Sequence, residues 1–132
     1  MTPSSFIRSA TVAVVLALAA GACAQAPGGP ATVMDTAKGK TLVDAKGMTL
    51  YTFDRDQGGK SACNGPCATN WPPLLATTNA KAAGDWTILS RDDGALQWAY
   101  RGRPLYTWSK DTKPGEITGD GFLNGAWHVA QP

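Results

Sequence analysis

The chain carries two nearly identical stretches, "LYTFDRD" at Leu50–Asp56 and "LYTWSKD" at Leu105–Asp111, which lie fifty-five residues apart. A glycine three residues before each leucine also matches, and a further glycine precedes each of those by eight residues. A match of this length without gaps indicates two copies of one supersecondary unit. The copies cover about residues 37–56 and 92–111.

Each copy predicts a β-hairpin, because short runs of β-branched and aromatic residues flank a turn that contains glycine. Strand alternation separates the aromatic residues of the motif from its leucine and threonine, so each copy has two distinct faces and we expect both to be buried. The aromatic face carries Tyr51, Phe53, Tyr106 and Trp108, and the opposite face carries Leu50, Thr52, Leu105 and Thr107.

An aspartate ends each motif, Asp56 in the first copy and Asp111 in the second. A carboxylate just past a strand can accept hydrogen bonds from backbone N–H groups of the next turn. We therefore interpret the shared letters as a structural scaffold and not as a catalytic site. They are Tyr51, Phe53, Asp56, Tyr106, Trp108 and Asp111.

The rest of the domain also predicts strands, with long loops and little helix. "DWTILSRDDGALQWAY" is typical of a strand, a turn and a second strand, and "AWHVA" of a short closing strand. Pro72 and Pro73 disfavour a strand in the segment that contains them. We predict a small all-β fold, mostly antiparallel, with one domain over residues 33–132.

The N-terminal 22 residues have one basic residue, Arg8, and then an apolar run that ends in small residues. This pattern predicts a secretory signal peptide over residues 1–22, followed by a flexible tether rich in Ala, Pro and Gly over residues 23–32. Two cleavage sites fit the sequence. "AGAC" resembles a lipoprotein signal and would leave a lipidated Cys23, whereas "ACA" would allow cleavage before Gln25.

After either cleavage, Cys63 and Cys67 are the only cysteine pair that is left unmodified. An exported pair in an oxidising compartment predicts a structural disulfide. The alternative is a soft metal site for copper, formed by Cys63 and Cys67 together with His128, the single histidine. A thiol-redox role for the two cysteines is a further alternative.

Five tryptophans are many for a domain of this size. We expect them to form a small core, since large aromatic side chains bury much area where strands are short. The alternative is an exposed platform for another envelope component, built from one or two of them with Tyr100 or Tyr106. The five are Trp71, Trp86, Trp98, Trp108 and Trp127.

The paired motif resembles that of a family of secreted bacterial proteins, many of them lipoproteins, known for Y-x-(F/W/Y)-x-x-D and described as a secreted repeat of unknown function. "YTFDRD" and "YTWSKD" both fit this motif, and "CNGPCATNWPPL" and "GDGFLNGAWHV" are similar to sequence segments that are usual in the family. The similarity runs from about Met34 to Val129. It implies an exported, membrane-tethered protein, and it implies no enzymatic activity, substrate or cofactor.

Charge is consistent with that expectation. Loss of Arg8 with the signal peptide leaves 11 basic against 10 acidic residues, so the exported chain is nearly neutral and is a poor candidate for nucleic-acid binding. We expect a non-enzymatic protein without a cofactor, in the periplasm or elsewhere in the cell envelope and anchored through Cys23. Its expected partner is another envelope component, protein or glycan.

Overall fold

The structure is a computed structural model that describes residues 29–132. Its elements are short and are connected by long loops, and the pairing between strands is antiparallel. In chain order they are β1 (Thr32–Thr36), β2 (Gly39–Val43), β3 (Tyr51–Phe53), α1 (Pro66–Asn70), β4 (Trp86–Ser90), β5 (Leu96–Tyr100), β6 (Arg103–Pro104), α2 (Phe122–Gly125) and β7 (Trp127–Val129). The predicted small all-β fold is confirmed.

The domain begins slightly earlier than predicted. Thr32 pairs with Val43 at one end of the β1–β2 hairpin, and Ala31 is only 2% exposed. The tether predicted to reach residue 32 therefore ends before Ala31, because the first core needs that side chain. The predicted signal peptide and the predicted lipidation site at Cys23 lie outside the described residues. Within residues 29–132, no helix combines the length and the apolar character that a membrane crossing requires.

A local two-fold relation connects the two copies of the motif. The Tyr51 N–H donates to the carbonyl of Tyr106 at 2.8 Å, and the Tyr106 N–H donates to the carbonyl of Tyr51 at 3.0 Å. This pair of bonds between equivalent residues places the approximate symmetry axis between the two tyrosines. The short helices follow the same relation, since α1 precedes Trp71 as α2 precedes Trp127.

A segment that follows each copy, here called its tail, pairs with the strand of the other copy. The tails are residues 71–75 after the first copy and residues 127–131 after the second. Leu74 N–H donates to the Leu105 carbonyl at 2.9 Å, and Ala130 N–H donates to the Leu50 carbonyl at 2.8 Å. The expectation that Pro72 and Pro73 keep a strand out of this segment is confirmed, since no strand lies between α1 and β4. Isolated bridges still connect the segment to the second copy through the carbonyl of Pro72 and the N–H of Leu74, and neither bond needs a proline N–H.

Alternation along the repeated strands feeds two hydrophobic cores, so the prediction that both faces are buried is confirmed. The first core contains Leu50 and Leu105, and the second contains the aromatic face of both motifs. The first core consists of Ala31, Leu42, Leu50, Trp86, Tyr100, Leu105 and Ala130. The second consists of Tyr51, Phe53, Cys63, Trp71, Tyr106, Trp108 and Trp127.

Candidate functional site

Four aromatic rings stack in a column across the approximate axis of the second core. Trp71 and Trp127, which are equivalent residues of the two copies, stack at 3.8 Å with an angle of 3° between their planes. Phe53 stacks on Trp127 at 4.2 Å, and its equivalent Trp108 stacks on Trp71 at 4.0 Å. Each copy therefore contributes one ring from its motif and one from its tail.

The tyrosine of each motif donates a hydrogen bond to the aspartate of the other motif. Tyr51 Oη donates to Asp111 Oδ2, and Tyr106 Oη donates to Asp56 Oδ2, both at 2.6 Å. Each aspartate also accepts from the turn that follows it, Asp56 from the Ala62 N–H at 2.7 Å and Asp111 from a backbone N–H at 2.9 Å. The two Tyr–Asp hydrogen bonds, here called the lock, therefore connect the two copies reciprocally. The sequence analysis did not predict this exchange.

Burial changes the acidity of three of these groups. Loss of solvent raises the pKa of the Tyr51 and Tyr106 phenols above their ordinary value, and the bond to an aspartate raises it further. Burial also raises the pKa of Asp56, against the opposing effect of the Ala62 N–H. Perturbed acidity often marks an active site, but here the interior position of the lock accounts for it.

Arg91 is a buried residue that no motif in the sequence marks. It is 5% exposed, and its guanidinium donates to Ser61 Oγ at 2.9 Å, to Gln97 Oε1 at 2.7 Å and to the Cys63 carbonyl. Ser61 Oγ lies 2.7 Å from the Tyr106 hydroxyl, which continues the chain of hydrogen bonds toward the lock. A buried cation needs such partners, and a structural role for this arginine follows.

The tryptophans form the cores. Trp71, Trp86, Trp108 and Trp127 are each at most 5% exposed, whereas Trp98 is half-buried. The alternative of an exposed aromatic platform that includes Tyr100 or Tyr106 is wrong, because both tyrosines are buried as well. The large tryptophan side chains therefore fill the two cores.

The predicted disulfide is confirmed, with the sulfur atoms of Cys63 and Cys67 joined at 2.06 Å. His128 lies on β7, where its Nε2 is 2.7 Å from Asp54 Oδ2. Within residues 29–132, no group of three His, Cys, Asp or Glu side chains is arranged to hold a metal ion. Copper binding by Cys63, Cys67 and His128 stays a prediction, and it would require the disulfide to open first.

One concave surface is a cleft of about 790 Å³, here called the main cleft. The strand face that carries Leu50 and Ala130 into the first core continues through Thr52 and His128 into this cleft. A second cleft of about 160 Å³, the minor cleft, shares Thr52 with it. The charged residues and the histidine that line the main cleft are Lys38, Asp54, Arg101, Arg103, Asp120 and His128.

Two of these groups are carboxylates, and both already have partners. Asp54 bonds to His128, and Asp120 Oδ2 lies 3.4 Å from the Lys38 ammonium. Asp120 Oδ1 also accepts the Val129 N–H at 3.0 Å, which fixes this carboxylate against β7. Asp54 therefore already has a hydrogen-bonding neighbour and Asp120 a cationic one.

The two arginines of the cleft differ in their partners. The Arg101 guanidinium lies 3.3 Å from the Asp85 carboxylate. The Arg103 guanidinium is exposed, and no carboxylate or hydrogen-bond acceptor of residues 29–132 binds it. Arg103 is consequently the one cleft cation in the described residues that is available to an incoming group.

Comparison of the two copies identifies which cleft residues the fold itself does not need. Equivalent positions follow from equivalent hydrogen bonds, since Asp54 N–H donates to the Ala126 carbonyl as Ser109 N–H donates to the Asn70 carbonyl. Three charged lining residues and the histidine have uncharged counterparts in the other copy. Asp54 corresponds to Ser109, Arg103 to Met48, Asp120 to Asn64 and His128 to Pro72.

An alignment of the two copies does contain a signal for this cleft. Residues shared by both copies maintain the fold, so the functional candidates are the charged residues that occur at a given position in one copy and not in the other. Of the cleft residues, the sequence had suggested His128 as a metal ligand and Tyr100 as part of an aromatic platform, but it had not suggested Asp54 or Arg103 as site residues. Asp54 and Arg103 become visible once the copies are aligned for their differences.

A model of a protein family described as a secreted repeat of unknown function matches residues 32–75 and 87–131. Each matched segment contains one hairpin, one motif and the tail that crosses to the other copy. Neither the curated proteins nor the solved structures contain a match to the chain.

Proposed function

Because the chain belongs to the family of secreted repeats of unknown function, we propose that it is a non-enzymatic cell-envelope protein whose single β domain binds another envelope component. The observation that carries this proposal is the main cleft, where most of the charged lining residues have no charged counterpart at the equivalent position of the other copy. A concave surface on which a few polar side chains converge is the usual place for a ligand to bind. The partner is a protein or glycan of the envelope.

The distribution of perturbed groups supports binding over catalysis. The pKa values of Tyr51, Tyr106 and Asp56 are raised, and these groups are bound to one another inside or at the edge of the second core. An enzyme would need its perturbed acid or base to point at a substrate. We therefore assign these groups to stability and the main cleft to recognition.

The N-terminus supports a location at the membrane surface. If Cys23 carries the lipid anchor, the chain from Cys23 to Ala31 spans at most about 28 Å when fully extended. The domain would then stay within that distance of the bilayer, in the periplasm or at the outer cell surface. A partner must therefore lie close to the membrane.

Co-sedimentation of the processed protein with insoluble cell-wall sacculi and with washed envelope membranes tests the proposal. Gln131→Trp places a large side chain at the main cleft without a change of charge, and Gln57→Trp makes the same substitution at an exposed turn outside both clefts. We expect wild type and Gln57→Trp to bind one of the two fractions. Binding of Gln131→Trp should be weaker by about fivefold or more, as for an obstructed contact worth about 1 kcal/mol.

Two results would overturn the proposal. One is that wild-type protein sediments with neither fraction. The other is that Gln131→Trp binds as tightly as Gln57→Trp while circular dichroism shows both variants to be folded. Either result would remove the main cleft as the recognition site.

A further inference from the structure

We propose that Arg103 anchors an anionic group, a carboxylate or a phosphate, of the component that occupies the main cleft. This inference rests on the proposed binding function and specifies the chemistry of the ligand. It follows from the position of Arg103, from the charge pairs around it and from its counterpart in the other copy.

Arg103 lies where the two clefts meet. Thr52, Asp54 and Arg103 line both the main cleft of about 790 Å³ and the minor cleft of about 160 Å³. Within residues 29–132, no group forms a hydrogen bond with the Thr52 hydroxyl. A ligand at this junction would therefore meet the Thr52 hydroxyl and the Arg103 guanidinium, neither of which has a hydrogen-bond partner among residues 29–132.

The pairing of the surrounding charges leaves one cation without a partner. Lys38 lies beside Asp120 and Arg101 beside Asp85, so among the described residues Arg103 alone of the lining cations is unpaired. The carboxylates that line the two clefts all have partners, since Asp54 bonds to His128, Asp120 lies beside Lys38 and Asp56 accepts from the Tyr106 hydroxyl. The planar fork of a free guanidinium binds a carboxylate or a phosphate through two parallel hydrogen bonds.

The repeat argues against a structural role for this arginine. At the equivalent position of the first copy the chain has Met48, a half-buried residue without a charge. The same local fold therefore forms with an apolar side chain in that place. A charge that the fold does not require, placed at the junction of two clefts, is best explained by a ligand.

The single histidine makes the test direct. His128 lines the main cleft and is the only histidine of the chain, so its imidazole resonance reports on the cleft without ambiguity. We would titrate the processed protein with inorganic phosphate and, separately, with acetate, at fixed pH. Sodium chloride would hold the ionic strength constant in both series.

We expect saturable shifts of the His128 resonance and of the backbone amides of Thr52 and Arg103. Saturation by phosphate alone would identify phosphate groups as the anchored chemistry, and saturation by acetate would identify carboxylates. Arg103→Gln should weaken the apparent affinity about tenfold or more, as for loss of a charged hydrogen-bond pair. Arg103→Lys should retain part of it, and Lys81→Gln is the control with an equal change of charge outside both clefts.

Shifts that do not saturate, or that are the same in Arg103→Gln and Lys81→Gln, would overturn the inference. That failure is separable from failure of the proposed function. Loss of co-sedimentation in Gln131→Trp together with no response to either anion would leave the cleft as a binding site for an uncharged ligand. No effect in either experiment would refute both proposals.

Discussion

The two aspartates of the repeat have the same letter and position in the motif, yet their replacement should not cost the same stability. We expect Asp111→Ala to lower the free energy of unfolding by about 3 kcal/mol and Asp56→Ala by about 1 kcal/mol. The difference comes from the partners that each substitution leaves behind.

Asp111 is 6% exposed and is the acceptor for the fully buried Tyr51 phenol. Around Tyr51 the structure provides the Gly119 N–H, which is a donor and cannot replace a lost acceptor. Removal of the carboxylate therefore leaves a buried hydroxyl without an acceptor, which costs about 1–3 kcal/mol, and the vacated space adds to that cost.

The Asp56→Ala substitution leaves groups that can find other partners. The Tyr106 hydroxyl keeps Ser61 Oγ at 2.7 Å, and Ala62 is exposed, so its freed N–H can bind water. Burial also raises the pKa of Asp56, which means that its ionised form is penalised in the folded state. Removal of that penalty offsets part of the lost hydrogen bonds.

Urea denaturation followed by tryptophan fluorescence measures both variants. For a domain of this size, with a slope of about 1 kcal/mol per molar urea, the two midpoints should differ by about 2 M. In a Tyr51→Phe background the orphaned hydroxyl is absent, so Asp111→Ala should cost at least about 1 kcal/mol less. Equal midpoints for the two variants, or a larger loss for Asp56→Ala, would refute the reasoning.

Three further outcomes are expected. The raised pKa values of Tyr51 and Tyr106 mean that the stability these phenols contribute is complete below pH 10 and is lost as pH rises through their pKa values in the folded state. Above pH 10 the free energy of unfolding should therefore fall by about 1.4 kcal/mol per pH unit for each phenol. Urea denaturation at a series of alkaline pH values measures this slope, and Tyr51→Phe should halve it. Cys67→Ala should cost about 2 kcal/mol through loss of a short disulfide loop, and Cys63→Ala more than that, because Cys63 is fully buried in the second core; equal melting temperatures for the two would contradict this. Gly119→Ala would bring its new carbon within 2.6 Å of the Trp71 ring, so we expect a loss of about 1–3 kcal/mol in chemical denaturation, and a stability equal to that of wild type would show that the ring column is able to move.

The sequence predicted the local parts of the fold well. Strand alternation separated Leu50 from Tyr51 correctly, since the side-chain period of a strand is a local property. The turn at Asp93-Gly94 and the closing strand near His128 were also visible as local patterns. These features depend on neighbours in the chain, which a single sequence contains.

The exchange between copies was not predictable by the same means. Tyr51 and Asp111 are sixty residues apart, and nothing in either motif says whether a tyrosine bonds within its own copy or across. Pro72 and Pro73 correctly indicated that no strand forms at their positions, but they gave no sign that the carbonyl of Pro72 and the N–H of Leu74 bond to the other copy. The charged lining of the main cleft was not predictable from the motif, because most of these residues are not shared by the two copies.

The crossing of the tails has a consequence for how the chain is made and exported. The carbonyl of Leu50 accepts its hydrogen bond from the N–H of Ala130, and the N–H of Leu42 donates to the carbonyl of Ala130. The first hairpin therefore cannot complete its hydrogen bonds until Ala130 has emerged from the ribosome. A strand that depends on residues about eighty positions later in the chain folds slowly, because the closure of a long loop precedes its stabilising contacts. Such a delay suits a secreted chain, since a translocation channel accepts it before it has acquired a shape.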